Sequence, residues 1–244
     1  MKLIAVFGGK RSGKDTIADH LVNHNGIKHQ LAGPLKELLH RCWYSYDVGL
    51  TLDKADFEGT GIDREKPLPI SNKEVYEYLV RCAQRARQDY GFNPYRECVP
   101  FPGFGIFKEY ISNDEIERHI HELTINNTEA WTIRRLMQTL GTDICVHFDK
   151  LVWVRCFASA YIEALVSGQY DYFIVPDIRQ EHESATVRKL GAICIHTDRG
   201  VVNTDKHITE QKQEILSGDI VIHNTGTIED LYEILDKTLG LSND

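Results

Sequence analysis

Lys2-Leu3-Ile4-Ala5-Val6-Phe7-Gly8-Gly9-Lys10-Arg11-Ser12-Gly13-Lys14-Asp15-Thr16 opens the chain, and its reading decides the fold. An apolar run of strand length meets paired glycines, a G-x-x-x-x-G-K motif follows, and Ala18, Leu21 and Val22 then mark the apolar face of a helix. Glycines let such a loop aim its backbone N–H groups at one point, and the helix N-terminus adds positive potential. Lys14 can reach the β- and γ-phosphates of a nucleotide. Gly9, Lys10, Arg11, Ser12, Gly13, Lys14, Asp15 and Thr16 are therefore the expected ATP-binding residues. Asp15 occupies the place where many P-loop proteins carry the Mg²⁺-binding Ser or Thr. Thr16, one place later, is the expected phosphate or metal-water contact, with an ordinary first-turn hydroxyl as the alternative. Asp15 can also act simply as a favourable charge at a helix N-terminus.

Further apolar runs at 27–32, 170–175, 192–197 and 219–223 read as buried strands, and most are followed by a helical pattern. Alternating strands and helices predict an α/β fold of the P-loop kinase kind, with a five-stranded parallel sheet flanked by helices. The gap between the second and third strands is too long for a simple crossover and predicts a large, mostly helical insertion. The expected division is a core of 1–33 and 170–244, an inserted acceptor-binding region of 34–169, and a short lid at 198–212. Within the insertion, 74–89, 128–140 and 154–166 read as helices. Residues 93–105, with Pro94, Pro100, Pro102, Gly103 and Gly105, read as a loop.

A net charge of −8 argues against a surface built for a nucleic-acid polymer, so anionic ligands must be held by local charge. The six cysteines form no C-x-x-C pair, and the apolar start is too short for a signal peptide, which suits a reducing cytoplasm. No apolar run approaches the roughly 20 residues of a membrane span.

In an open parallel sheet, ligands sit beyond the carboxyl ends of the strands. Asp177 and Arg179, just after the third strand, are thus expected to hold water on Mg²⁺ and to clamp a phosphate, or alternatively to pair with each other. Arg199, Lys206 and His207 fall in the expected lid, whose alternative is an ordinary polar connection. Asn224 and Gly226 offer a close main-chain approach for adenine, while Thr227 reads as a helix N-cap. Lys36, Arg64, Arg134, Gln138 and Trp153 are the candidate acceptor contacts, with solvent-facing arginines and a core Trp153 as the alternatives. Arg134 and Gln138 share one helical face, and adjacent Arg135 points elsewhere. His20 and His24 have metal-ligand spacing, and His119 and His121 form H-x-H. No third ligand accompanies either pair in the sequence, and neither is read as a metal site.

Several segments together resemble the phage-type deoxynucleoside monophosphate kinases: GKRSGKDT from Gly9, QLAGPLK from Gln30, RRLMQTLGTD from Arg134, DYFIVPDIRQEHE from Asp171, HITE from His207 and DIVIHNTGTIEDL from Asp219. The resemblance implies ATP, Mg²⁺, a dNMP acceptor, sheet order 2-3-1-4-5 and a preference for deoxyribose, with Trp153 or Tyr172 as an apolar wall. It leaves a homodimer open and, for a phage-encoded chain, implies the host cytoplasm. Lys14, Arg134, Arg179 and Arg199 become the expected catalytic cations. Dephospho-coenzyme A and phosphomevalonate kinases share the G-x-x-x-x-G-K and D-x-R layout. A nucleotide-binding switch would share the loop, but no N-K-x-D signature follows the fourth strand.

Overall fold

The computed structural model describes residues 1–9, 11–45, 49–98, 107–200 and 213–241. The chain forms two compact units, Met1–Leu31 with Val154–Asp244, and Ala32–Trp153.

In the first unit, β1 (Lys2–Phe7), β2 (Gly26–Lys28), β5 (Tyr172–Val175), β6 (Ile193–Asp198) and β7 (Ile220–His223) form one sheet with every pairing parallel. Side chains alternate across a strand, so β1 serves both faces of the sheet. Leu3, Ala5 and Phe7 pack with Phe157, Ala164, Phe173 and Val187, contributed by helices α7 (Val152–Ser167) and α8 (Glu181–Lys189) and by β5. Ile4 and Val6 pack on the other face with Ile17, Leu21, Leu231 and Leu235 from α1 (Lys14–Asn23) and α9 (Ile228–Leu239). Continuous burial on both faces explains the unbroken apolar run of β1. Each such large side chain contributes about 1.5–3 kcal/mol on burial.

Hydrogen bonding orders the sheet β2-β5-β1-β6-β7. These labels differ from the expected run 2-3-1-4-5 because an antiparallel hairpin, β3 (Tyr95–Cys98) with β4 (Phe107–Tyr110), intervenes in the chain. Counted within this sheet alone, β5, β6 and β7 are its third, fourth and fifth strands. The second strand is shorter than 27–32: its bonding to β5 ends with His29 N donating to the Ile174 carbonyl at 2.8 Å, and the Leu31 N–H is taken by the Asp177 carboxylate at 2.8 Å.

The second unit is built from α2 (Gly33–Cys42), α3 (Lys54–Glu58), α4 (Asn72–Asp89), α5 (Asn113–Ile125), α6 (Ile133–Gln138) and a π-helix, Thr139–Val146, besides the hairpin. Leu38, Leu39, Phe57, Leu79, Ile120 and Ile133 are fully buried. Tyr78 donates to the Leu39 carbonyl at 2.7 Å and meets Trp43 edge to face.

Four expectations need correction. Residues 93–105 are not all loop: Tyr95–Cys98 form β3 directly after Pro94, while 99–105 lie outside the described residues. The helix expected at 128–140 starts at Ile133, where Thr132 accepts from Arg135 N at 3.1 Å, and its last turns widen into the π-helix. Helix α5 was missed, although Ser112 and Glu115 carry an S-x-x-E start signal. The units divide at 31/32 and 153/154 rather than 33/34 and 169/170, because α7 carries Phe157 and Ala164 into the first core.

Candidate active site

The chain leaves β1 through Gly8 at φ 153°. A Cβ there would lie 2.4 Å from the Thr197 carbonyl oxygen and 2.5 Å from Ser12 Oγ, so only glycine lets the loop pass so close to β6. Arg11 adopts φ 62°, and Gly13 at φ 104° starts α1 with no side-chain cap. A helix N-terminus that follows such a glycine turn is a favourable place for an anion. Lys14 Nζ donates to the carbonyls of Gly8 at 2.7 Å and Gly9 at 2.5 Å, which lays the ammonium against the loop. Ser12 Oγ is buried and has no hydrogen-bond partner among the described residues.

The loop is clamped from below. Thr197 Oγ1 and Asn224 Nδ2 each donate to the Ser12 carbonyl at 2.9 Å. The Asn224 side chain thus holds the loop rather than lying open to a base. Gly226 is exposed, and Thr227 caps α9 by accepting from Asp230 N at 3.2 Å. Asp15 is turned to Lys28 at 3.0 Å and is 73% exposed. Thr16 is half-buried in the first turn.

At the carboxyl end of β5, Asp177 is fixed by its bond from Leu31 N. Glu183 Oε2 accepts from Arg179 N at 2.8 Å and Gln180 N at 2.9 Å, and Gln213 Nε2 donates to the Arg179 carbonyl at 2.5 Å. Burial pushes the Glu183 carboxyl up to about 7 against the pull of those two N–H groups. Arg199 is exposed, beside a turn closed by Gly200 N donating to Asp198 at 2.9 Å. Behind the loop, His196 stacks on Phe7 at 4.6 Å and lies 2.9 Å from Asp219, which Arg188 grips with two bonds of 2.7 Å. The guanidinium holds the Asp219 carboxyl down at about 2, and burial lowers His196.

The second unit gathers its own basic group. Arg134 N donates to the Arg64 carbonyl at 3.1 Å, the Arg134 guanidinium pairs with Glu65, and Arg64 Nη1 lies 4.0 Å from Met137 Sδ. Gln138 is half-buried one turn beyond Arg134. Arg135 instead lies over the Trp131 ring at 4.6 Å and within 3.0 Å of Glu129. Lys36 is buried on α2, a rare state for lysine. Trp153 needs correction as a stacking surface: it is 5% exposed, and its indole N–H donates to the Gly141 carbonyl at 3.1 Å, so it is a core side chain. Tyr172 opens β5 at the end opposite Asp177, near Lys2, and supplies no wall beside the loop. Lys10, Lys206 and His207, with the rest of 201–212, lie outside the described residues.

A family model described as deoxynucleotide monophosphate kinase matches residues 2–235. The chain belongs to that family. It is 39% identical to the deoxynucleotide monophosphate kinase of Escherichia phage RB69, over 98% of this chain and 100% of the relative. The identity to the enzyme of the same name in Enterobacteria phage T4 is also 39%, over 98% of this chain and 99% of that one. A putative deoxynucleotide monophosphate kinase of Acanthamoeba polyphaga mimivirus is 25% identical, over 95% of this chain and 93% of its own.

For this family member, the structure brings Ser12, Gly13 and Lys14 into one cradle and sets Arg64 beside Arg134 in the second unit. Sequence reading missed Thr197, Glu183 and Glu65. Thr197 ends an apolar strand run, where a hydroxyl has no local partner in sequence. Glu183 did carry a signal, standing three residues after Gln180 at the start of a helix.

Proposed function

We propose that this chain transfers the γ-phosphate of ATP to a deoxynucleoside 5′-monophosphate, giving the diphosphate and ADP. The cradle carries this reading. The N-terminus of α1, a buried Ser12 hydroxyl without a hydrogen-bond partner among the described residues and the Lys14 ammonium meet on one glycine-rich loop, an arrangement suited to a polyphosphate. Family membership supplies the acceptor class. The net charge of −8 favours small nucleotides over a polymer as partners.

Phosphoryl transfer needs positioning and charge neutralisation more than covalent chemistry, so no general base is assigned. Lys14 and the loop amides hold the donor phosphates. Arg179 and Arg199 neutralise the transferred group, while Arg134, Arg64 and Lys36 hold the acceptor phosphate and Gln138 bonds the base edge. The Thr16 hydroxyl and the Asp177 carboxylate are oxygen donors of the kind Mg²⁺ takes and would hold that ion directly or through water. That ion would neutralise phosphate charge when bound. Glu183, by fixing the N–H groups of Arg179 and Gln180, keeps the turn that presents Asp177 and Arg179. The free thiols of Cys42, Cys82 and Cys145 suit a reducing cytoplasm.

The test compares kcat/KM for dGMP with GMP and dTMP with UMP at saturating ATP and Mg²⁺. A deoxyribose preference near 10²-fold is expected, since a pocket lacking a partner for a hydroxyl rejects it only weakly. Equal values or a ribose preference would sink the deoxynucleotide assignment. Failure of every monophosphate to release ADP would sink the kinase reading as well.

A further inference from the structure

His20 and His24 lie four residues apart on α1 and so share one helical face. The sequence shows no third ligand near them, but packing supplies one. Helix α9 lies along α1 through Leu231 and Leu235 against Ile17 and Leu21, which brings Asp236 to the two imidazoles. Asp236 Oδ1 is 2.6 Å from His20 Nε2 and 3.9 Å from His24 Nε2. One ligand atom from each residue lies within 4.8 Å of the other two. Among the described residues, no other group of three such side chains meets this condition.

We propose that His20, His24 and Asp236 form a binding site for a late first-row divalent ion, Zn²⁺ foremost. The donor set is two imidazole nitrogens and one carboxylate oxygen, which favours such ions over the hard Mg²⁺ and Ca²⁺. A tetrahedral Zn²⁺ at about 2.0–2.1 Å from each ligand spaces the ligand atoms about 3.3 Å apart. The separations of 2.6 and 3.9 Å straddle that value, so small rotations of the side chains complete the set. The rings are already oriented: His20 stacks on Tyr232 at 4.1 Å and meets His24 edge to face at 4.8 Å. Side-chain exposures of 10% for His20, 22% for His24 and 21% for Asp236 leave one side open for a water ligand and for ion entry.

The ion would clip α1 to α9. Helix α1 starts at the cradle, and α9 follows the segment whose Asn224 holds the Ser12 carbonyl. The site lies at the far end of α1 from Lys14, so its effect is on the framework rather than on the reacting groups.

The test uses the full chain after treatment with a chelator. Zn²⁺ binding is measured by calorimetry, and Co²⁺ by the intense visible bands of a tetrahedral site. One ion per chain is expected, with a rise in Tm of about 5–10 °C at a hundredfold excess of Zn²⁺ over Kd. H24A and D236N should each weaken Co²⁺ binding by more than the roughly 10–100-fold that loss of an outer-shell partner costs. H121A, which removes a histidine facing Tyr76 in the other unit, should leave binding unchanged. Because His24 is partly exposed, H24A should fold, as its circular dichroism would verify. Wild-type binding no tighter than that of H24A/D236N, or loss of Co²⁺ binding only in H121A, would leave His20 and Asp236 as a plain interhelical hydrogen bond and overturn the proposal.

Discussion

The glycine-rich cradle of the first unit is made of main chain and held by side chains, whereas the basic group of the second unit is made of side chains and held partly by main chain. In the cradle, Gly8, Arg11 and Gly13 set the backbone, and Thr197 and Asn224 pin the Ser12 carbonyl. In the second unit, Arg134 is steered by Glu65, and its backbone is tied to Arg64. A main-chain site is specified by a short run of residues. A side-chain site depends on which helix faces meet. The comparison teaches that substitutions should act differently in the two regions, locally and sharply in the first, by reorientation in the second.

The largest effect is expected from Lys14→Ala. It should lower kcat/KM by at least about 10³-fold, with an unchanged circular dichroism spectrum, the loss expected when a cation that meets transferring phosphate is removed. A folded variant with near-normal turnover in a coupled ADP assay would remove the cradle from the chemistry.

Arg134→Ala should cost about 10³-fold, on the scale of arginines that stabilise transferred charge, while Arg135→Ala costs less than about 10-fold. Glu65→Gln should fall between them, since it removes the steering carboxylate but keeps the cation. If Arg135→Ala proves the damaging change, the facing of this helix has been assigned wrongly.

The clamp beneath the loop should give a smaller effect. Thr197→Val or Asn224→Ala each removes one donor to the Ser12 carbonyl, worth about 1 kcal/mol, and should raise KM for ATP about 5–10-fold. Both donors serve the same oxygen, so the double variant should depart from additivity. Strict additivity would mean that the two bonds do not share a task.

The smallest effect on catalysis, although measurable in stability, is expected at Asp219. Its carboxyl is held at about 2 against an ordinary value of 3.8. A depressed acid contributes stability above its unfolded value that is lost as pH falls through the folded one, here between about pH 4 and 2. Asp219→Asn should therefore lose at least about 2 kcal/mol at pH 7 and flatten the acid limb of the denaturation profile. Turnover of the folded fraction should stay near wild type. A large fall in kcat would instead make Arg188 and His196 part of the site's working geometry.

The opening strand, the loop, the helix after it and the parallel sheet were legible because each rests on local chemistry: a run buried on two faces, glycines at fixed offsets, a lysine one helical turn away. The capping signal of Thr227 likewise marked the start of the last helix, and overlooking Ser112 cost another. The paired strands 95–98 and 107–110 were hidden because Pro94, a loop signal, stands immediately before the first of them. Trp153 was ambiguous for another reason. An aromatic ring has the same sequence signature whether it lines a pocket or fills a core, and only the Gly141 carbonyl beneath its indole decided the matter.

The glycine-rich strand–loop–helix, the parallel sheet and the presence of a large insertion could be read from the sequence, since each follows from residue spacing along a few turns or strands. Tertiary structure alone decided that Thr197 and Asn224 support the loop, that Glu65 takes Arg134, and that Asp236 joins His20 and His24. Those partners are separated by tens to hundreds of positions, as with His20 and Asp236, 216 residues apart. Side chains so distant meet only through the packing of whole elements, and packing is set by the summed burial of many residues rather than by any local pattern.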